Sequence, residues 1–358
     1  MSKILYVASN MTHINNFHLD YIAALRAMGH SVTVMARGDG ADIDMPFEKK
    51  LFSPKNTACR KKIRRIVREG GYDAILLNTT LAAFHVRFAL GAHRPRVVNV
   101  VHGYLFSRTT GFIKRTLLLL CEKLVAGKTD AIIVMNEEDR EIAVRHKLTQ
   151  GKVDTVRGFG VSVRDVITPP EKIREQYGRG SYALLFVGEL SARKNQALLI
   201  RSLPEVLKHI PNAVLWLVGD GAERESLERL TSELGLSERV FFMGKRADAC
   251  DFMRAADLYV SAAHIEGLPF NIVEALGTGK FVVASDIKGH RDVINSARVG
   301  LLYPDGDSSA LVRAIAEAHD NLPNDTSAAM ERYEYYEKNN VFSEIMQTIV
   351  YNLKISSE

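Results

Sequence analysis

Ile4-Leu-Tyr-Val-Ala8 is an apolar run of strand length, and Ser31–Ala36 is a second. Between them Asn16–Met28 has helical periodicity and stops at Gly29, a residue suited to ending helices. Strands joined through a helix lie parallel, because a tight hairpin cannot contain the crossover. The alternation continues with strands expected at Ala74–Asn78, Val97–Val101 and Ala131–Met135, and with a basic helix at Arg60–Glu69. Asp165-Val-Ile-Thr-Pro-Pro-Glu171 then interrupts it, since paired prolines break both helix and sheet. A second series follows, with strands at Tyr182–Val187, Val214–Val218, Val240–Phe242, Leu258–Ser261 and Phe281–Ala284. Helices at Gln196–His209, Arg224–Leu234, Asn271–Gly277 and Ser309–Asp320 alternate with them. The pattern predicts two doubly wound α/β domains, 1–165 and 166–335, facing across a cleft in which ligands gather beyond the strand carboxyl ends. Residues 336–358 are expected to form a helix that packs back on the first domain.

The 358 residues suit two domains, at ~100–200 residues each. Cys59, Cys121 and Cys250 are widely spaced, which argues against a disulfide framework or a zinc site and fits a reducing cytosol. The opening Met-Ser-Lys-Ile-Leu-Tyr does not read as a signal peptide. Thr116–Cys121 is far short of the ~20 apolar residues that span a bilayer. The net charge of +5 is uneven: residues 1–170 hold 26 Lys and Arg against 15 Asp and Glu, and the remainder hold 21 against 27. A basic first half suggests an anionic partner, either nucleic acid or a membrane surface.

Chemistry concentrates in Ser261-Ala-Ala-His-Ile-Glu266-Gly267-Leu268-Pro-Phe270-Asn271-Ile272-Val-Glu274. A strand ends, a loop carries one glutamate, Pro269 opens a helix, and the second glutamate lies within it. The N–H groups of Phe270, Asn271 and Ile272 are expected at a helix start, where about half a positive charge awaits a diphosphate. Earlier, Leu185-Phe-Val-Gly188 closes a strand, and Arg193-Lys194 follow in the loop before a helix. Arg offers a fork to phosphate oxygens and Lys a point charge. Asp42-Ile-Asp44 and Asp305-Gly-Asp307 have metal-motif spacing but sit in turn-like segments, and both are read as turn chemistry.

The Glu266–Glu274 segment, with its strand before and helix after, resembles the signature of glycosyltransferase family 4 in the GT-B fold, two Rossmann-like domains. The resemblance covers the whole second domain, and the first by topology and His102. It implies that Glu274 binds the nucleotide ribose, that Glu266 faces the transferred sugar, and that Gly188, Arg193 and Lys194 hold the donor diphosphate. Gly267, Leu268, Phe270, Asn271 and Ile272 complete that donor site, and Arg246 in Phe242-Met-Gly-Lys-Arg246 lies where the base is held. Val97-Val-Asn-Val-Val-His102 ends a strand where relatives place a sugar-contacting histidine. The first loop, Ser9–Phe17, lacks the family's Gly-Gly pair. His13 and Asn15 there are candidates for reading acceptor or sugar, with a helix cap at Asn15 or Asn16 as the alternative.

The resemblance implies retaining transfer from a UDP-sugar without metal or cofactor. His102, Glu266, Arg193 and Lys194 are the candidate catalytic groups. The implied acceptor is a lipid-linked saccharide of a surface polysaccharide, reached at the inner face of the cell membrane, with no role for nucleic acid. The basic stripe at Arg60–Glu69, with apolar Ile63, Ile66 and Val67, either packs on the sheet with solvated cations or lies on an anionic membrane, and the resemblance favours the membrane, with Lys114 and Arg115 beside Leu117–Leu120 a second contact. Three rivals remain: a UDP-sugar epimerase of the same fold, a dinucleotide oxidoreductase, and a non-catalytic nucleotide or glycan binder. The oxidoreductase is disfavoured because the first βα turn lacks G-x-G-x-x-G.

Overall fold

The computed structural model describes residues 1–48, 53–108, 110–321 and 325–355. The last residues of the expected C-terminal segment, 356–358, lie outside the described residues. Every pairing between strands among the described residues is parallel. The chain forms two units, Met1–Gly160 with Val341–Glu358, and Val161–Asn340.

Unit 1 contains β1 (Lys3–Asn10), β2 (Ser31–Arg37), β3 (Ile43–Asp44), β4 (Ala74–Asn78), β5 (Arg96–Val101), β6 (Ala131–Val134) and β7 (Lys152–Thr155). Their order is β3-β2-β1-β4-β5-β6-β7. Unit 2 contains β8 (Tyr182–Val187), β9 (Ala213–Val218), β10 (Val240–Gly244), β11 (Leu258–Ser261), β12 (Val282–Ser285) and β13 (Gly300–Tyr303), ordered β10-β9-β8-β11-β12-β13. Each sheet reverses direction once, between β1 and β4 and between β8 and β11. These are the switch points at which doubly wound sheets bind ligands.

The central strands are covered on both faces, so Ile4–Ala8 and Ala74–Leu77 read as continuous apolar runs and are buried throughout. Three strands absent from the sequence reading, β3, β7 and β13, are all sheet edges. β3 and β7 are short and partly polar, and β13, Gly-Leu-Leu-Tyr, is only four residues, so none carries the long apolar run that marks a central strand. The helix expected at Asn16–Met28 is two helices, Met11–Phe17 and Leu19–Ala27. Asn10, rather than Asn15 or Asn16, caps the first by accepting from the His13 N–H at 2.9 Å. At His18 the chain turns so that its ring reaches Tyr6.

The basic helix runs Pro54–Gly70. Its apolar stripe faces inward: Ile63 is buried, and Ile66 and Val67 pack against the unit 1 core. Its cations are also partly engaged, Arg60 donating to His85 Nδ1 and Arg64 to the Ala89 carbonyl. The expected membrane contact there is therefore corrected, because the stripe is spent on the sheet. Residues of the final helix from Val341 onward pack on unit 1, with Val341, Ile345, Ile349 and Leu353 buried, Phe342 4.8 Å from Tyr21, and Asn352 donating to Asp154. Cys59, Cys121 and Cys250 are each buried and unpaired.

One polar group lies deep in unit 1. Arg87 donates to Glu122 at 2.9 Å, with side chains 0% and 5% exposed, and also to Ala83 O and Thr129 Oγ1. Removing one partner of such a pair strands a charge in a dry interior. Arg87→Ala should therefore cost ~3–5 kcal/mol in urea unfolding. Substituting both residues with apolar ones should recover most of that loss.

Candidate functional site

Beyond β8 and β11, at the unit 2 switch point, two loops bring three charges together. Lys194 Nζ lies 2.6 Å and Arg193 Nη1 2.9 Å from the two oxygens of Glu266. Arg193 also donates to Ile265 O, and the His264 N–H donates to Arg193 O, so the loops are stitched by backbone as well as charge. Glu266 and Lys194 are 9% and 10% exposed, while Arg193 remains 40% exposed. Burial pushes the Glu266 carboxyl up, but Lys194 and then Arg193 outweigh it and hold it below the usual range. Glu266 is thus a fixed carboxylate, and the exposed flank of Arg193 keeps donors to offer a phosphate.

The loops can approach because glycine occupies the crossings. A Cβ at Gly219 would lie 1.9 Å from the Gly188 carbonyl oxygen, and Gly188 itself donates to Val218 O at 2.9 Å. Gly289, at φ +80°, passes within 2.4 Å of Gly267 O by the same measure. His290 follows it and is buried beside Glu266. Burial pushes its imidazole down to about 4, although Glu266 pulls the other way. Its Nδ1 meets Ser285 O at 2.8 Å and its buried Nε2 has no partner. The sequence reading missed His290; its one signal was Gly-His after a strand.

The helix Phe270–Gly277 begins after Pro269. Of the three N–H groups expected to point outward there, two are taken. Phe270 N–H donates to Leu268 O and Ile272 N–H to Pro269 O, because the Leu268-Pro269 turn closes on itself. Leu268 and Ile272 are buried. The Asn271 side chain points into the sheet, donating to Val187 O at 2.8 Å and Tyr259 OH at 2.7 Å. It locks the helix start to β8 and β11. Glu274 stands half-buried on this helix. Burial pushes its carboxyl up to about 7, against a smaller pull from Arg164.

Arg246 forks onto Asp248 with two bonds of 2.8 Å, and Asp248 in turn accepts from Thr168. That guanidinium braces the loop after β10. Residues of both aspartate motifs make local hydrogen bonds. Asp307 caps the helix Ser308–Asp320 and Asp305 bonds His264 Nδ1. Asp42 accepts from Val34 N–H and Asp44 from Gly38 N–H.

Unit 1 gathers a separate group beyond β1, β4 and β5. His13, His18 and His102 have ring centroids 4.6–5.3 Å apart. Burial holds all three imidazoles low, His13 at about 4. Both His102 nitrogens are buried without a hydrogen-bond partner. Asn15 is exposed on the same helix. Nearby Thr79 adopts φ 69°, rare for a β-branched residue, and is held there by bonds from Ser9 N (3.0 Å) and Ser9 Oγ (2.6 Å). Such a backbone costs ~1–3 kcal/mol and tends to mark a functional site.

Comparison with known proteins agrees with this arrangement. The profile described as Glycosyltransferase Family 4 matches residues 14–158, and that described as Glycosyl transferases group 1 matches residues 170–338. EpsD of Bacillus subtilis, named as a glycosyltransferase, is 28% identical over 332 residues, 88% of this chain and 87% of that protein. The Escherichia coli UDP-Gal:α-D-GlcNAc-diphosphoundecaprenol α-1,3-galactosyltransferase is 24% identical over 266 residues, 72% of this chain and 69% of that enzyme. Among solved structures, Anabaena HepE with UDP and glucose superposes with a TM-score of 0.75 at 21% identity, over 98% of this chain and 99% of that one. Two profiles that between them span most of the chain, on two parallel α/β units of this topology, identify it as a glycosyltransferase of family 4 with the GT-B fold.

Proposed function

We propose that the chain transfers a sugar from a UDP-sugar to a lipid-linked saccharide, with retention, in cell-surface polysaccharide synthesis. The observation that carries this is the convergence of Lys194 and Arg193 on buried Glu266 at the unit 2 switch point. Leaving-group charge is the main barrier to breaking a glycosyl–phosphate bond. Cations held in a partly dry site and already oriented stabilise that charge with little reorganisation. As the anomeric C–O bond to phosphate breaks, an oxocarbenium-like centre develops. The acceptor oxygen bonds to the same face and its proton passes to the departing phosphate. Glu266, clamped by two cations, orients them and the sugar and is no nucleophile. His102 and His13 take sugar hydroxyls, and Glu274 the ribose. No metal or cofactor enters this scheme.

The nucleotide and acceptor follow the relatives. HepE carries UDP, and the Escherichia coli relative is named for a UDP-sugar donor and an undecaprenyl-diphosphate acceptor. A lipid acceptor calls for a membrane surface, and helix Phe112–Ala126 supports one. Ile113, Leu117, Leu120 and Leu124 recur at four, three and four residues and are 84%, 52%, 53% and 71% exposed, with Phe112 at 75%. Lys114 and Lys123 are also exposed on it, and its one acid, Glu122, is buried. An exposed apolar stripe edged by cations suits the headgroup boundary of an anionic bilayer. The enzyme is then peripheral at the inner face of the cell membrane. Among the described residues no helix is long and apolar enough to cross one.

Incubation with UDP-sugars and undecaprenyl-diphosphate saccharides, with product detection, tests the reaction. Lys194→Ala should weaken UDP binding by ~1.5–3 kcal/mol in calorimetry. Because burial pushes the Glu274 carboxyl up to about 7 and the ribose hydroxyls donate to its ionised form, UDP should bind more tightly as pH rises through that value. The gain should be about tenfold between pH ~6 and ~8, and Glu274→Gln should flatten it. Flotation with anionic vesicles should capture the protein at low salt. Ile113→Glu with Leu124→Glu should release it, whereas Lys61→Gln with Arg65→Gln, on the basic helix, should change capture far less.

A further inference from the structure

The three histidines of unit 1 do more than line a polar surface. His13 and His18 leave the carboxyl end of β1, and His102 leaves that of β5, so a parallel sheet delivers three imidazoles to one place. One ring nitrogen from each lies within 4.8 Å of the other two. His13 Nε2 and His18 Nε2 are already 3.1 Å apart. Two nitrogens on a tetrahedral zinc, each bonded at ~2.0–2.1 Å, stand about 3.3 Å apart. Only His102, whose two nitrogens are buried and unpartnered, needs to close in. Tyr6 OH meets His18 Nδ1 at 2.7 Å. With Nδ1–H donating to the phenol oxygen, the His18 Nε2 lone pair faces the other two rings, as outer-shell partners do for metal-bound histidines. Phe159 packs 4.5 Å from His18 and 5.3 Å from His102, walling the rings on one side.

We infer that His13, His18 and His102 form a binding site for a borderline divalent transition-metal ion, best filled by zinc, with a fourth position open. An all-imidazole set suits zinc, cobalt, nickel or copper and disfavours magnesium or manganese, which take oxygen ligands. The ion inhibits the enzyme, because it occupies the imidazoles of His102 and His13 that would otherwise meet the sugar. Inhibition rests on the sugar-facing role proposed above; binding does not.

The test uses the full chain, stripped of metal and titrated with cobalt(II). One equivalent should produce the intense visible d–d bands of tetrahedral cobalt, and zinc should erase them. Tyr6→Phe should weaken cobalt binding ~10–100-fold, as loss of an outer-shell partner does. His18→Gln and His13→Ala should abolish the bands while an unchanged circular-dichroism spectrum and cooperative melting confirm that the variants are folded. No tetrahedral bands at one equivalent, or unchanged bands in both folded histidine variants, would overturn the site. If zinc binds as described yet transfer is undisturbed at saturating zinc, the metal site stands and the sugar-facing role of His102 falls.

Discussion

A carboxylate taken out of water loses several kcal/mol of hydration, and it stays ionised only where cations replace that water. Glu266 meets the requirement with Lys194 and Arg193, and much of unit 2 serves to make the meeting possible. Gly188 follows β8 and its carbonyl comes so close to Gly219, after β9, that any side chain at Gly219 would strike it. Strand β11 must be the neighbour of β8 so that the glutamate arrives from the other side. Gly219 and Gly289 clear backbone that any side chain would obstruct. Asn271 pins the following helix to both strands. The cost of burying one charge is thus distributed over the topology of a whole sheet.

The two units use their switch points differently. Unit 2 presents fixed charge, suited to an anionic leaving group. Unit 1 presents imidazoles held neutral by burial, His102 with both nitrogens unpartnered, beside a strained Thr79 and a wall of aromatic rings, suited to hydroxyls or to a metal ion. The same neutrality that lets His102 accept or donate to a hydroxyl makes it a competent metal ligand.

The central strands were legible because burial on both faces leaves an unbroken apolar run, as at Ala74–Asn78, Tyr182–Val187 and Leu258–Ser261. The edges β3 and β7 were not, since their few polar residues resemble a loop, and β13 was not, because Gly-Leu-Leu-Tyr is too short a run to stand out. The cation–glutamate group was legible from motif context. His18 and His290 were missed because each becomes notable only through a partner distant in sequence, His102 for one and Glu266 for the other. Arg246 was placed from its segment alone, and its fork onto Asp248 two residues on was overlooked. The basic helix failed for a similar reason. Amphipathic spacing at Ile63 and Ile66 says that a face is buried, not whether protein or lipid buries it.

The central claim is that protein cations, Arg193 and Lys194, take the place of a metal ion on the departing diphosphate. Transfer from a UDP-sugar, measured after metal removal and in excess EDTA, tests it most directly. The account predicts an undiminished initial rate. Complete loss of transfer that manganese restores would contradict it, and would return attention to Asp42 with Asp44 or to Asp305 with Asp307.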